Sequence, residues 1–175
     1  MRKLITGLAI AAFFLAACKS NPGSSATSSD STATALKKNK QTALNSEMAL
    51  SKGDIDGVMK DWAPDFVDLG HGGSKPETNK DSIKAAFKIF FAEFPDFTGK
   101  NFVAVADSNL VIVTCTWSGT FKNPLGTMKP NGKSFKMPEA DVFTFNKEGK
   151  IKSRRSIQSD ATLMYQLGDL VFAKK

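Results

Sequence analysis

Residues 100–121 read "KNFVAVADSNLVIVTCTWSGTF", two largely apolar runs broken by a polar turn at Asp107 to Asn109. Alternation with period two sends successive side chains to opposite faces of an extended strand. A short polar break between two such runs predicts a hairpin. Cys115 lies inside the second run, in "LVIVTCTWSG", where a cysteine is expected to pack as a small hydrophobe rather than to react.

Toward the C terminus the same period continues. A loop rich in proline and glycine, "KNPLGTMKPNGK", leads to "SFKMPEADVFTFN", and "KEGK" turns the chain into "IKSRRSIQS". These two runs form a second hairpin. Alternation puts Glu139, Asp141, Phe143 and Phe145 on one face of the first run, with Ala140, Val142 and Thr144 on the other. Acids and phenylalanines that share a face suit a pocket wall with a polar mouth, and equally a dimer surface with a charged rim. In the second run Arg155 has the parity of Ile151 and Ile157, so Arg155 is expected to point inward and Arg154 to face solvent. The chain then enters "SDATLMYQLG", a short helix stopped by Gly168, with Asp160 where an N-cap should stand.

Toward the N terminus the period lengthens to that of a helix. "NKDSIKAAFKIFFAEF" spaces Ile83, Phe87, Phe90, Phe91 and Phe94 as an apolar stripe and stops at Pro95. Before it, "DFVDLGHGGS" is extended and ends in glycines. "DIDGVMKDW" fits a short helix opened by Asp54. "TALKKNKQTALNSEMALSKG" places Leu36, Ala43, Leu44, Met48 and Leu50 near helical spacing and ends at Gly53. Helices first and antiparallel strands afterwards define an α+β domain. It runs from residue 36 to 175, long enough for a single core.

The first 17 residues read as an export signal: Arg2 and Lys3, then the uncharged 13-residue run "LITGLAIAAFFLA", then small residues before a cysteine. That run is shorter than the roughly 20 residues that span a bilayer. "LAAC" at 15–18 resembles the lipobox of bacterial lipoproteins, which implies lipid attachment at Cys18 and anchoring to a bacterial membrane outside the cytoplasm, in the cell envelope. The alternative is an ordinary signal cut near Ala17. Residues 18–35, half Ser and Thr, have too little apolar surface to offset ordering and read as a flexible tether. Losing Arg2 and Lys3 lowers the net charge from +7 to +5, and the remaining Lys and Arg are scattered among acids. That pattern argues against a nucleic-acid stripe. One histidine and one further cysteine cannot build a zinc site.

Four words in this order resemble the SnoaL-like branch of the NTF2-like superfamily, which includes polyketide and ester cyclases: "FAEFPDF" (91–97), "VIVTCTWSGTF" (111–121), "PNGKSFKMPEADVFTFNKEGKI" (130–151) and "YQLG" (165–168). The resemblance implies a cone in which a strongly bent sheet and long helices enclose an apolar pocket, with pairing through the sheets to a homodimer in many members. It also implies no metal and no organic cofactor. In the cyclases an aspartate near the end of the last strand is the acid/base in an intramolecular aldol closure, and Asp160 is the position that matches it. Asp68 and His71 stand where relatives often carry an aspartate and a histidine. Relatives also carry Gly-Thr-His where this chain reads Gly119-Thr120-Phe121, and a phenylalanine transfers no proton.

The catalytic candidates are therefore Asp160, Asp141 and His71. The expected pocket lining is Trp62, Phe66, Asp68, Phe87, Phe91, Trp117, Phe143 and Arg155. Three function classes fit: a membrane-tethered module that binds a small, mostly apolar molecule; a cofactor-independent acid/base enzyme of the cyclase kind; and a structural adaptor with a vestigial pocket.

Overall fold

The computed structural model describes residues 25–124 and 126–170. Cys18 and the signal sequence lie outside the described residues. The elements run α1 (Ser25–Leu50), α2 (Ile55–Met59), β1 (Trp62–His71), α3 (Lys80–Glu93), β2 (Thr98–Asp107), β3 (Leu110–Thr120), β4 (Ser134–Phe145), β5 (Ile151–Ile157) and α4 (Asp160–Leu167). The α+β order is the expected one. The helical span of α1 begins at Ser25, inside the Ser/Thr-rich stretch, and residues 30–35 of it are exposed.

The five strands form one mixed sheet in the order β1-β5-β4-β3-β2. Only β1 and β5 are parallel. At the centre, β3 and β4 pair without interruption from Leu110 opposite Thr144 to Thr120 opposite Ser134. Bulges bend the strands on either side. In β2, Lys100 pairs with Thr116 and Val103 with Thr114, so one extra residue is accommodated near Asn101, which sits at φ 60°. Asparagine tolerates the left-handed region better than most residues, and a bulge both bends and twists its strand.

One face of the sheet is the core. Val111, Val113, Cys115 and Trp117 of β3 are buried, as are Phe135, Met137, Asp141, Phe143 and Phe145 of β4. Gly119 faces Phe135 across the ladder, and a Cβ there would stand 2.9 Å from the Phe135 ring, so only glycine allows that ring to lie over the strand. Phe94, at the end of α3, packs edge-on against Phe135 at 5.4 Å between centroids and touches Phe121. The opposite face of the sheet leaves Val103, Val105 and Ile157 exposed.

The helices follow their capping chemistry. Asp54 accepts from the Gly57 amide at 2.9 Å and opens α2. Asn79 accepts from Asp81 and Ser82 and opens α3. Of the stripe read from α1, Ala43 and Leu50 are buried and Leu44 packs against the core, whereas Met48 is exposed and the polar Asn39, Ser46 and Glu47 are buried on the core-facing side. No described helix is long and apolar enough to cross a membrane.

Candidate functional site

The cavity between α3 and the inner face of the sheet has a volume of about 350 Å³. Its apolar wall comes from Phe87 and Phe90 of α3, Phe97, Trp117 of β3, and Phe135 and Met137 of β4. The indole of Trp117 is stacked on Phe97 at 4.7 Å, which fixes the floor of this wall. The other end is polar: Asp68 and His71 of β1, Glu139 of β4, Arg154 and Ser156 of β5, and Gln158. One-ended polarity in a concave, largely apolar site is the usual layout of a small-molecule pocket.

That polar end is built by a bulge. Phe145 pairs with Ile151 but Thr144 pairs with Ser153, so Lys152 is an extra residue in β5. A one-residue shift turns every later side chain to the other face. The expected parity is thereby reversed: Arg155 is exposed and Ile157 points outward, whereas Arg154 and Ser156 face inward. Arg154 stands opposite Phe143 and Ser156 opposite Asp141.

Inward Arg154 meets three buried carboxylates. Its Nε lies 2.9 Å from Asp141 Oδ1, and its Nη2 lies 3.9 Å from Glu139 Oε1. The Nε approach falls outside hydrogen-bond alignment, so this is an ion pair in which neither Asp141 oxygen receives a hydrogen bond from the described residues. The Ser156 hydroxyl donates to Glu139 Oε1. Glu47 reaches this cluster from α1, and its Oε2 is likewise buried without a donor among the described residues.

Three carboxylates against one guanidinium cannot all stay ionised cheaply in a dry place, because desolvation penalises each charge. Burial pushes the Asp141 carboxyl up to about 7; Arg154 opposes that rise and Glu139 reinforces it. Glu47 is raised well above the usual carboxylate range, first by burial and then by the Asp141 charge. Burial also works against the Arg154 charge, but Asp141 and then Glu47 outweigh it and hold the guanidinium protonated. Among the described residues no group of His, Cys, Asp and Glu is arranged to hold a metal ion.

At the mouth, Asp160 is paired rather than capping. The cap of α4 is Ser159, whose hydroxyl accepts from the Thr162 amide at 3.2 Å. Asp160 is the first helical residue, and its carboxylate oxygens lie 3.1 Å and 3.2 Å from His71 Nδ1. Gln158 donates to the same carboxylate. Both rim side chains are about half exposed, at 44% and 52%. A carboxylate on Nδ1 orients the ring and leaves Nε2 for other partners.

The expected lining residues divide accordingly. Asp68, Phe87 and Trp117 line the cavity, with His71. Trp62 and Phe66 instead stack on each other at 3.7 Å in the core, and Phe143 is fully buried in β4. Phe91 turns toward Phe87 and Phe97 within the aromatic cluster and does not reach the cavity. Asp141 lies one layer behind the cavity surface, so the dimer-surface reading of its face is corrected: that face is interior. Absent from the expected site are the polar residues Glu139, Arg154, Ser156, Gln158 and Glu47, and the apolar lining residues Phe90, Phe97, Phe135 and Met137.

An α+β fold with helices over a curved mixed sheet and a one-ended cavity is the NTF2-like cone. The sequence profile of the SnoaL-like polyketide cyclase family matches residues 40–167, and the chain belongs to that family. No curated protein matches it. Among solved structures, AclR of Streptomyces galilaeus, described as a proposed hydroxylase, is 21% identical with a TM-score of 0.69, covering 80% of this chain and 91% of its own. IdmH of Streptomyces antibioticus, a proposed polyketide cyclase, is 23% identical with a TM-score of 0.64 over 74% and 98% of the two chains. An NTF2-like protein of unknown function from Burkholderia pseudomallei is 17% identical with a TM-score of 0.63 over 75% and 98%. Likeness at this level shows the fold; chemistry must be argued from the site.

The buried cluster makes stability depend on pH in a stated direction. With Asp141 raised to about 7 from an ordinary value of 3.8, the folded chain holds more protons than the unfolded chain between those values. The stabilisation this represents is present at low pH and is lost as pH rises through about 7. Asp141→Asn removes this loss, so its unfolding free energy from urea titration, relative to wild type, should climb with pH by at most about 1.4 kcal/mol per pH unit, with m unchanged. A difference that stays flat from about pH 4 to about pH 8 contradicts the assignment.

Proposed function

We propose that the cavity binds a small molecule with an apolar, ring-sized body and one polar end. The observation that carries this reading is the separation of the cavity into an aromatic wall and a hydrogen-bonding end made by Glu139, Arg154, Ser156 and Gln158. A volume of about 350 Å³ lies at the small end of the range for ligand sites. Membership of the SnoaL-like family supports a pocket-based function of this kind. On the full chain, residues 1–18 support lipid attachment at Cys18 and a position outside the cytoplasm, which detergent phase partition of wild type against Cys18→Ser tests.

One observation favours a second reading, acid/base chemistry of the cyclase type. His71 lines the cavity while its Nδ1 is held by the Asp160 carboxylate, which is the arrangement of an oriented general base. Its test is deuterium uptake at the activated carbon of 2-methylcyclohexane-1,3-dione. Uptake above the buffer rate that falls at least about 100-fold in His71→Ala supports this reading. Uptake equal in the two chains removes it.

The binding reading is tested with 2-naphthol, an aromatic body with one hydroxyl. Saturable binding is expected to shift the indole signals of Trp117. Ala86→Trp, a change at an exposed position on the cavity rim, should weaken binding by about tenfold or more. Binding that leaves Trp117 unmoved, or that ignores Ala86→Trp, overturns the proposal.

A further inference from the structure

The chain carries a net charge of +7, yet the polar end of its cavity is acidic. Asp68 and Glu139 stand at the cavity surface, and Asp141 and Glu47 lie behind Glu139. The one guanidinium facing them, Arg154, is committed to Asp141 at 2.9 Å. His71 is committed through Nδ1 to Asp160 of α4. α3 and β3 add no charge to the lining, only Ile83, Ala86, Phe87, Phe90 and Trp117. Behind them Cys115 of β3 stays a thiol, its pKa raised by burial and then by the Glu47 and Asp141 charges.

The cluster therefore holds more carboxyl groups than cations, and both Asp141 oxygens and Glu47 Oε2 are buried with no hydrogen bond from the described residues. Two things can neutralise such an excess: protons on the carboxylates, or a positive charge brought in from the cavity. The wall is suited to the second. Phe87, Phe90, Phe97 and Trp117 line the same space, and the face of an aromatic ring attracts a cation. An anion would meet Asp68 and Glu139, and the Arg154 guanidinium beside them already faces Asp141 and Glu139.

We propose that the cavity is selective for an organic cation, an ammonium head placed near Glu139 and Asp68 with its apolar body against Phe87, Phe90, Phe97 and Trp117. The proposal rests on the cavity being a small-molecule site and adds the charge class of the molecule. Binding of the cation takes the place of protons held by the carboxylate cluster. Affinity therefore rises with pH.

The test compares benzyltrimethylammonium with its uncharged carbon isostere, neopentylbenzene, and with phenylacetate, each titrated into the full chain by calorimetry. The ammonium carries a fixed charge, so any pH dependence belongs to the protein. It should bind about tenfold or more tighter than the isostere at about pH 8, and phenylacetate should bind weakest. The preference should shrink toward about pH 5.5, as the carboxylates take up protons. Glu139→Gln should reduce it, and so should Asp68→Asn, a change outside the buried cluster that tests the proposal even if Glu139→Gln does not fold. An isostere that binds as tightly as the ammonium overturns the charge selectivity and leaves the cavity reading intact. A preference untouched by both variants also overturns it. Absence of binding by all three overturns both readings.

Discussion

Arg154 is the residue on which the interior of this protein turns. Its Nε lies 2.9 Å from Asp141, on the inner face of a sheet whose other members at that level are Val113, Cys115 and Phe143. A fully buried carboxylate without this partner would be an uncompensated charge in an apolar core, a defect of several kcal/mol in general experience, about 3–5. The guanidinium can be there because Lys152 is an extra residue in β5, which turns Arg154 inward one pair after the register breaks. The bulge that bends the strand thus also supplies the charge. Ser156 follows it inward and ties Glu139 to the same group.

This charged layer gives the cavity its direction. The rings of α3 and β3 fill one end, and β1, β4 and β5 close the other with groups that hold protons or hydrogen bonds. The polar end is in turn double: an interior cluster around Arg154 and an exposed pair, His71 with Asp160, at the rim. The two differ in burial, so they answer different chemical needs. The rim pair stays about half exposed, whereas the interior cluster is dry and desolvation penalises each charge in it. Solved structures that share this fold carry different proposed activities, a hydroxylase in one and a polyketide cyclase in another.

The fold was largely legible because its signals are local. Alternation in 100–121 and 134–145, the Asp54 cap and the stop at Gly168 each act within a few residues. The same alternation correctly set Glu139, Asp141, Phe143 and Phe145 on one face. What failed was parity across a bulge: nothing in "IKSRRSIQS" marks Lys152 as extra, so Arg155 was expected where Arg154 stands. Asp160 was expected at the cap for a related reason, since Ser159 and Asp160 are both good caps and only the backbone decides between them. Glu47 was invisible because a glutamate beside Met48 and Leu50 on a helix reads as solvated, while its burial depends on an acid and an arginine from distant strands. The lining was over-assigned for the same reason: periodicity separates inside from outside, and Trp62, Phe66 and Phe143 are inside without touching the cavity.

A dry carboxylate cluster organised by Arg154 stands behind the polar end of the cavity. Its most direct measurement is the carboxyl carbon titration of Asp141 by NMR on uniformly labelled protein, assigned through Asp141→Asn. A midpoint of about 7 is expected. A midpoint at or below the ordinary aspartate value of 3.8 would mean that Asp141 is solvated or fully satisfied by Arg154, and would contradict it.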